Sequence, residues 1–183
     1  MNSPQRQGGP PVTVLTVGHS NRTLGDFLSL LHAFDVSAVA DVRRYPGSRK
    51  FPHFGQEALC RALEAEGVEY SWFEALGGRR HGAGREDSPN VGLKSQGFRN
   101  YADYMMTEEF REAVAHLVAL AVKRRTAILC AERFYWKCHR RLLSDYLVAQ
   151  GVTIEHILDR DELRPHRLTP GAIITDDGTV VYR

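Results

Sequence analysis

The residues from Thr126 to Arg141 bring together two thiols (Cys130 and Cys138), a carboxylate (Glu132), an imidazole (His139) and the guanidinium groups of Arg133, Arg140 and Arg141. The segment opens as an apolar β-type run, Thr126-Ala-Ile-Leu-Cys130, and ends on a helical pattern, Leu142, Leu143, Tyr146 and Leu147. Open α/β sheets bind ligands where strands end and helices begin. A helix N-terminus there offers unpaired N–H donors and a partial positive charge that favours anions. Glu132 can move a proton, and Arg133, His139 and Arg140 can hold anionic groups. Cys138 stands at the expected helix start beside His139 and Arg140, and both effects favour a thiolate. Cys130 closes an apolar strand and is expected in the core.

Other predicted strands also end in polar residues. His19 follows the first, in Gly18-His-Ser-Asn-Arg22, and Asp41 and Arg43 close the second. In a parallel sheet such ends converge on one edge, so His19, Asp41, Arg43, Glu132 and Cys138 are expected to share a pocket. There Asp41 or Glu132 would be the acid or base and His19 would orient or relay. Arg43, Arg79, Arg133 and Arg140 would hold the anion. Either carboxylate alone reads equally well as a structural ion pair with its neighbouring arginines, and it is the repetition at several strand ends that favours a site. A metal set from Cys130, Cys138, His139 and His19 is chemically possible. The spacing Cys-x7-Cys-His matches no common zinc signature, however, and no metal ligand is assigned. Tyr101, Tyr104 and Phe134-Tyr-Trp136 read as core and lid packing, with base stacking beside arginines as the alternative.

The elements that must position these residues alternate in type. Val12–Val17, Val36–Val42, Glu69–Phe73, 126–130 and 152–158 read as strands. Leu24, Phe27, Leu28, Leu31 and Phe34 recur at helical spacing after a Thr23 cap. A second helix runs through Ala58 to Leu63 and stops at Gly67, and Tyr101 to Arg125 is mostly helix, renewed at Thr107. A further helix covers 138–150. Residues 75–99 form a long Gly-rich loop, and 173–182 read as a hairpin with an Asp-Gly turn. This alternation predicts an α/β fold with a mainly parallel sheet, helices on both faces and a small C-terminal hairpin. The expected organisation is a loose tail over 1–11 and one domain over 12–183.

The net charge of +2 rules out a global polyelectrolyte argument, but the basic residues cluster, as in Arg43-Arg44, Arg79-Arg80-His81 and Arg133 to Arg141, which permits local anion binding. The odd count of three cysteines and the absence of a long apolar run predict a cytoplasmic protein with no membrane partner.

The chain resembles the DUF488 family of bacterial and archaeal proteins. The resemblance rests on Thr16-Val-Gly-His-Ser-Asn-Arg-Thr23, Asp41-Val-Arg-Arg-Tyr-Pro-Gly-Ser48, Glu74-Ala-Leu-Gly-Gly-Arg79, Tyr101-Ala-Asp-Tyr-Met105 and Cys130-Ala-Glu-Arg through Cys138-His-Arg140. It implies an α/β domain with a site at these residues and supplies no reaction. Ala40-Asp-Val-Arg43 is also similar to the opening strand of rhodanese domains, but the arginine that would close a rhodanese or phosphatase loop is absent, since Tyr135 and Trp136 stand there after Cys130. The expectation is an enzyme acting on a phosphate-bearing small molecule or nucleic acid. Two alternatives stay open: a non-catalytic nucleotide or nucleic-acid module, and thiol or metal chemistry through Cys138.

Overall fold

The computed structural model describes residues 11–80 and 87–183. The expected N-terminal tail, apart from Pro11, lies outside the described residues, as do residues 81–86 of the long loop.

Five strands lie parallel: β1 (Thr13–Gly18), β2 (Ala38–Asp41), β3 (Glu69–Trp72), β4 (Thr126–Cys130) and β5 (Thr153–Asp159). A sixth, β6 (Glu162–Pro165), pairs antiparallel with β5 and gives the order β3-β2-β4-β1-β5-β6. The sequence pattern did not anticipate β6, because its exposed, charged residues have no apolar alternation. The expected hairpin forms as β7 (Ala172–Ile174) and β8 (Val180–Tyr182), with Gly178 at φ 79° in its turn.

The central strands are buried on both faces, as their nearly continuous apolar runs require. Successive side chains point to opposite faces. Leu15, Val17, Val39 and Leu129 therefore pack with Phe27 and Leu31 of α1 (Leu24–Ala33) and with Leu59 and Leu63 of α2 (Gln56–Ala65). On the other face Val14, Ala40 and Ile128 pack with three helices, α3 (Gln96–Tyr104), α4 (Glu108–Lys123) and α5 (Arg140–Ala149). Each such fully buried Leu or Phe contributes ~1.5–3 kcal/mol. Thr23 caps α1 by accepting from the Asp26 N–H, and Thr107 caps α4 by accepting from the Phe110 N–H. The predicted break at Thr107 thus separates two helices, and the first begins earlier than expected, at Gln96. No helix among the described residues is long and apolar enough to cross a membrane.

Neighbouring strands β1 and β4 send their chains to opposite faces, β1 to α1 and β4 to α5. Such a topological switch point opens a crevice at the carboxyl ends of the strands.

Candidate functional site

A cleft of about 720 Å³ lies at that switch point. His19, Ser20 and Asn21 line it after β1, Arg43, Arg44, Tyr45 and Lys50 among others after β2, Gly78 and Arg79 after β3, and Cys130 at the end of β4 with Ala131 and His139 beyond it. The strand ends are tied together by backbone bonds: the His19 N–H donates to the Cys130 carbonyl at 3.0 Å and the Ser20 N–H to that of Ala131 at 2.9 Å. Gly18 permits this approach, since a Cβ there would lie 2.0 Å from the Glu132 carbonyl oxygen. Gly77 and Gly78 thread a similar gap. A Cβ on Gly77 would meet Arg44 Cα at 2.8 Å, and one on Gly78 would meet His139 Nδ1 at 2.8 Å. The two glycines carry Arg79 to the rim, where its backbone sits at φ 52°.

The floor of the cleft is a thiol and imidazole cluster. Cys130, Cys138 and His139 offer ligand atoms that all lie within 4.8 Å of one another, and all three residues are buried. The His139 Nε2–H faces the Val42 carbonyl oxygen at 3.2 Å, which leaves Nδ1 as the nitrogen with the free lone pair. Burial holds His139 below its ordinary pKa. The Cys138 thiol donates toward Cys130, and this bond, against burial and with help from Arg140 and the Glu132 and Ala131 N–H groups, holds Cys130 below the ordinary thiol range. The same shared proton, with burial, pushes Cys138 well up.

The other sequence-predicted residues do different work. Asp41 is fully buried, and both its oxygens are occupied. Oδ1 accepts from Arg43 N at 3.0 Å and Nε at 2.9 Å, and Oδ2 accepts from Arg43 Nη2 and from the Tyr70 hydroxyl at 2.8 Å. Arg43 Nη1 donates to the Phe54 carbonyl at 2.7 Å and approaches His19 Nε2 at 3.3 Å. His19 Nδ1 bonds the Ser20 carbonyl at 2.9 Å, and its ring stacks on Phe54 at 4.2 Å. Burial, with the Arg43 charge, lowers its pKa to about 4 despite the Ser20 bond. Asp41, Arg43 and His19 thus form one locked wall in which His19 is neutral near pH 7. Glu132 is exposed and does not line the cleft; its side chain accepts from Phe134 N at 3.5 Å. Arg133 pairs with Asp159 at 3.3 Å, also outside the cleft. Arg80 is held by the Gly77 and Ala75 carbonyls and lies 3.6 Å over the Tyr104 ring. Arg79 and Lys50 line the cleft, are exposed and make no ion pair among the described residues.

Arg140 is 1 % exposed and points inward, away from the cleft. Its Nε donates to Cys138 Sγ at 3.2 Å, Nη1 to Thr16 Oγ1 at 3.4 Å, and Nη2 to the Glu132 and Arg133 carbonyls. No carboxylate is among these partners. Beyond Thr16 runs a buried chain that the sequence reading missed. Thr16 Oγ1 meets His156 Nδ1 at 2.7 Å, His156 Nε2 meets His166 Nδ1 at 2.9 Å, and His166 Nε2 meets Asp145 Oδ1 at 2.8 Å. The Tyr182 hydroxyl donates to the other Asp145 oxygen at 2.8 Å. These residues come from β1, β5, the segment after β6, α5 and β8, so no local spacing could reveal them. Cys130, read as core, does close a buried strand, yet its position at a strand end was a usable sign of exposure to the cleft.

Comparison with curated proteins and with solved structures found no match to this chain. Residues 23–147, well over half of the 183, match the family model described as Domain of unknown function DUF488, and the chain belongs to that family.

Proposed function

We propose that this protein is an enzyme that binds a small phosphate-bearing substrate in the switch-point cleft and reacts at the thiol and imidazole cluster on its floor. The observation that carries this reading is the pairing, in one concave site, of Arg79 and Lys50 at the rim, neither in an ion pair among the described residues, with Cys130 and His139 below. A concave site with a few convergent polar groups suits a small ligand, and the cationic rim selects an anionic one. The bonded wall of Asp41, Arg43 and His19 shapes the site. Asp41 has no free lone pair directed to the cleft and Glu132 lies outside it, so the reading moves the chemistry from these carboxylates to the thiols.

Thermal-shift titration with inorganic phosphate, pyrophosphate and a nucleoside monophosphate tests the reading. At a ligand concentration 100 times Kd, stabilisation is ~2.7 kcal/mol. Arg79→Ala removes a charge-assisted contact of ~1.5–3 kcal/mol, and so weakens binding by roughly one to two orders of magnitude. No shift with any of the three anions, or equal shifts in wild type and Arg79→Ala, refutes it. Tight binding of an oligonucleotide with no response to the small anions would favour a nucleic-acid module instead.

A further inference from the structure

We infer that Cys130, Cys138 and His139 form a divalent-metal site, best matched to zinc, whose fourth coordination position faces the cleft. The inference rests on the reading above only in that the metal would sit on the floor of the same cleft.

Two thiolates and one neutral imidazole are ligands that zinc prefers, and three protein ligands with one open position are the pattern of catalytic rather than structural zinc. The three donors lie within 4.8 Å of one another, which tetrahedral coordination can close with small side-chain movements. All three residues are buried, while Cys130 and His139 also line the cleft, so one side of the cluster opens to ligand.

A ligating imidazole commonly donates its other N–H to a carbonyl or carboxylate, which fixes tautomer and ring orientation. Here His139 Nε2 faces the Val42 carbonyl oxygen at 3.2 Å, directing the Nδ1 lone pair elsewhere. The absence of a side chain at Gly78 leaves room at that nitrogen, where a Cβ would approach to 2.8 Å. The Arg140 Nε–H donates to Cys138 Sγ at 3.2 Å, a bond that a thiolate accepts better than a thiol. Among the described residues the buried Arg140 has no carboxylate partner, so ligand thiolates supply the negative charge that its guanidinium otherwise lacks. The ligands span two elements: Cys130 ends β4, and Cys138 and His139 precede α5. A metal would bridge the strand to the helix, and each thiol would release its proton to solvent on binding.

The test uses the full chain, purified under reducing conditions, stripped with chelator and titrated with Co²⁺ and Zn²⁺. One equivalent of Co²⁺ is expected to bind, with thiolate-to-cobalt charge-transfer and tetrahedral d–d bands. Cys130→Ser and Cys138→Ser should each cut the charge-transfer intensity roughly in half or weaken binding at least tenfold, and the double variant should abolish the band. X-ray absorption on the wild-type zinc form needs no variant: two sulfurs at ~2.3 Å and at least one nitrogen at ~2.0–2.1 Å are expected. Failure to bind Co²⁺ and Zn²⁺ while both thiols remain free overturns the inference. So does a Cys130–Cys138 disulfide that persists in place of metal binding, or a bound metal without sulfur ligands. Phosphate stabilisation that survives in metal-free protein and is lost in Arg79→Ala would leave the cleft reading standing while the metal inference fell. Metal binding with no anion response would do the opposite.

Discussion

His156 offers a test of the buried relay that is independent of any ligand. Its ring is fully buried, bonded to Thr16 at 2.7 Å and His166 at 2.9 Å, and stacked on Tyr135 with centroids 3.4 Å apart. Burial, then the nearby His166, Arg140 and Arg164, lower its pKa from 6.5 to about 2. Above pH 6.5 neither the folded nor the unfolded chain protonates this ring. Below it the unfolded chain takes up a proton that the folded chain refuses, so stability is lost as pH falls from 6.5 toward 2. The loss is ~1.36 kcal/mol per pH unit, or about 2.7 kcal/mol over two units. His156→Gln keeps a donor and an acceptor but removes the titration. Urea unfolding of both proteins, followed by tryptophan fluorescence at half-unit pH steps, reads the difference. The variant is less stable at pH 7, because it loses the stack and part of the relay, but its stability falls less steeply below 6.5. The two curves should therefore converge by about 1.4 kcal/mol per pH unit. Parallel curves between pH 6.5 and 4.5 would show that His156 protonates freely in the folded protein, and the closed relay would be refuted.

Two further substitutions probe the cleft wall. Asp41→Asn leaves the Arg43 cation, 6 % exposed, without its counter-charge; a loss of ~3–5 kcal/mol is expected in urea unfolding, and a change below 1 kcal/mol would show that the charge is not needed. Gly18→Ala drives a methyl into the Glu132 and Arg133 backbone; it should cost ~1–3 kcal/mol by thermal melting and weaken phosphate stabilisation, whereas wild-type values for both would contradict the strand-end contact.

Much of the architecture was legible because it depends on local chemistry. Strands β1, β2 and β4 are short, largely apolar runs, the caps at Thr23 and Thr107 are single residues with a fixed role, and the Asp177-Gly178 turn follows from backbone conformation at glycine. Even the gathering of His19, Arg43, Arg79 and His139 at one edge follows from parallel strands having their carboxyl ends together. The strand β6 was not legible, since an edge strand with exposed charged residues carries no periodic signal.

What the tertiary structure alone decided is the role of each polar group, because role depends on partners that are distant in sequence. Asp41 and Arg43 read as acid and anion binder, yet Tyr70 and Phe54 complete a closed set of bonds around them. Arg140 read as an anion binder at a helix start; the rotation of that helix sends it inward to Cys138 and Thr16. Cys130 read as core, and as the last residue of β4 it is buried yet meets the cleft at the strand's carboxyl end. The Asp145–His166–His156 chain draws on residues 10 and 21 apart in sequence. A sequence names the ionisable groups; only packing sets which lone pairs and protons remain unmatched, and those unmatched groups are where ligands and metals bind.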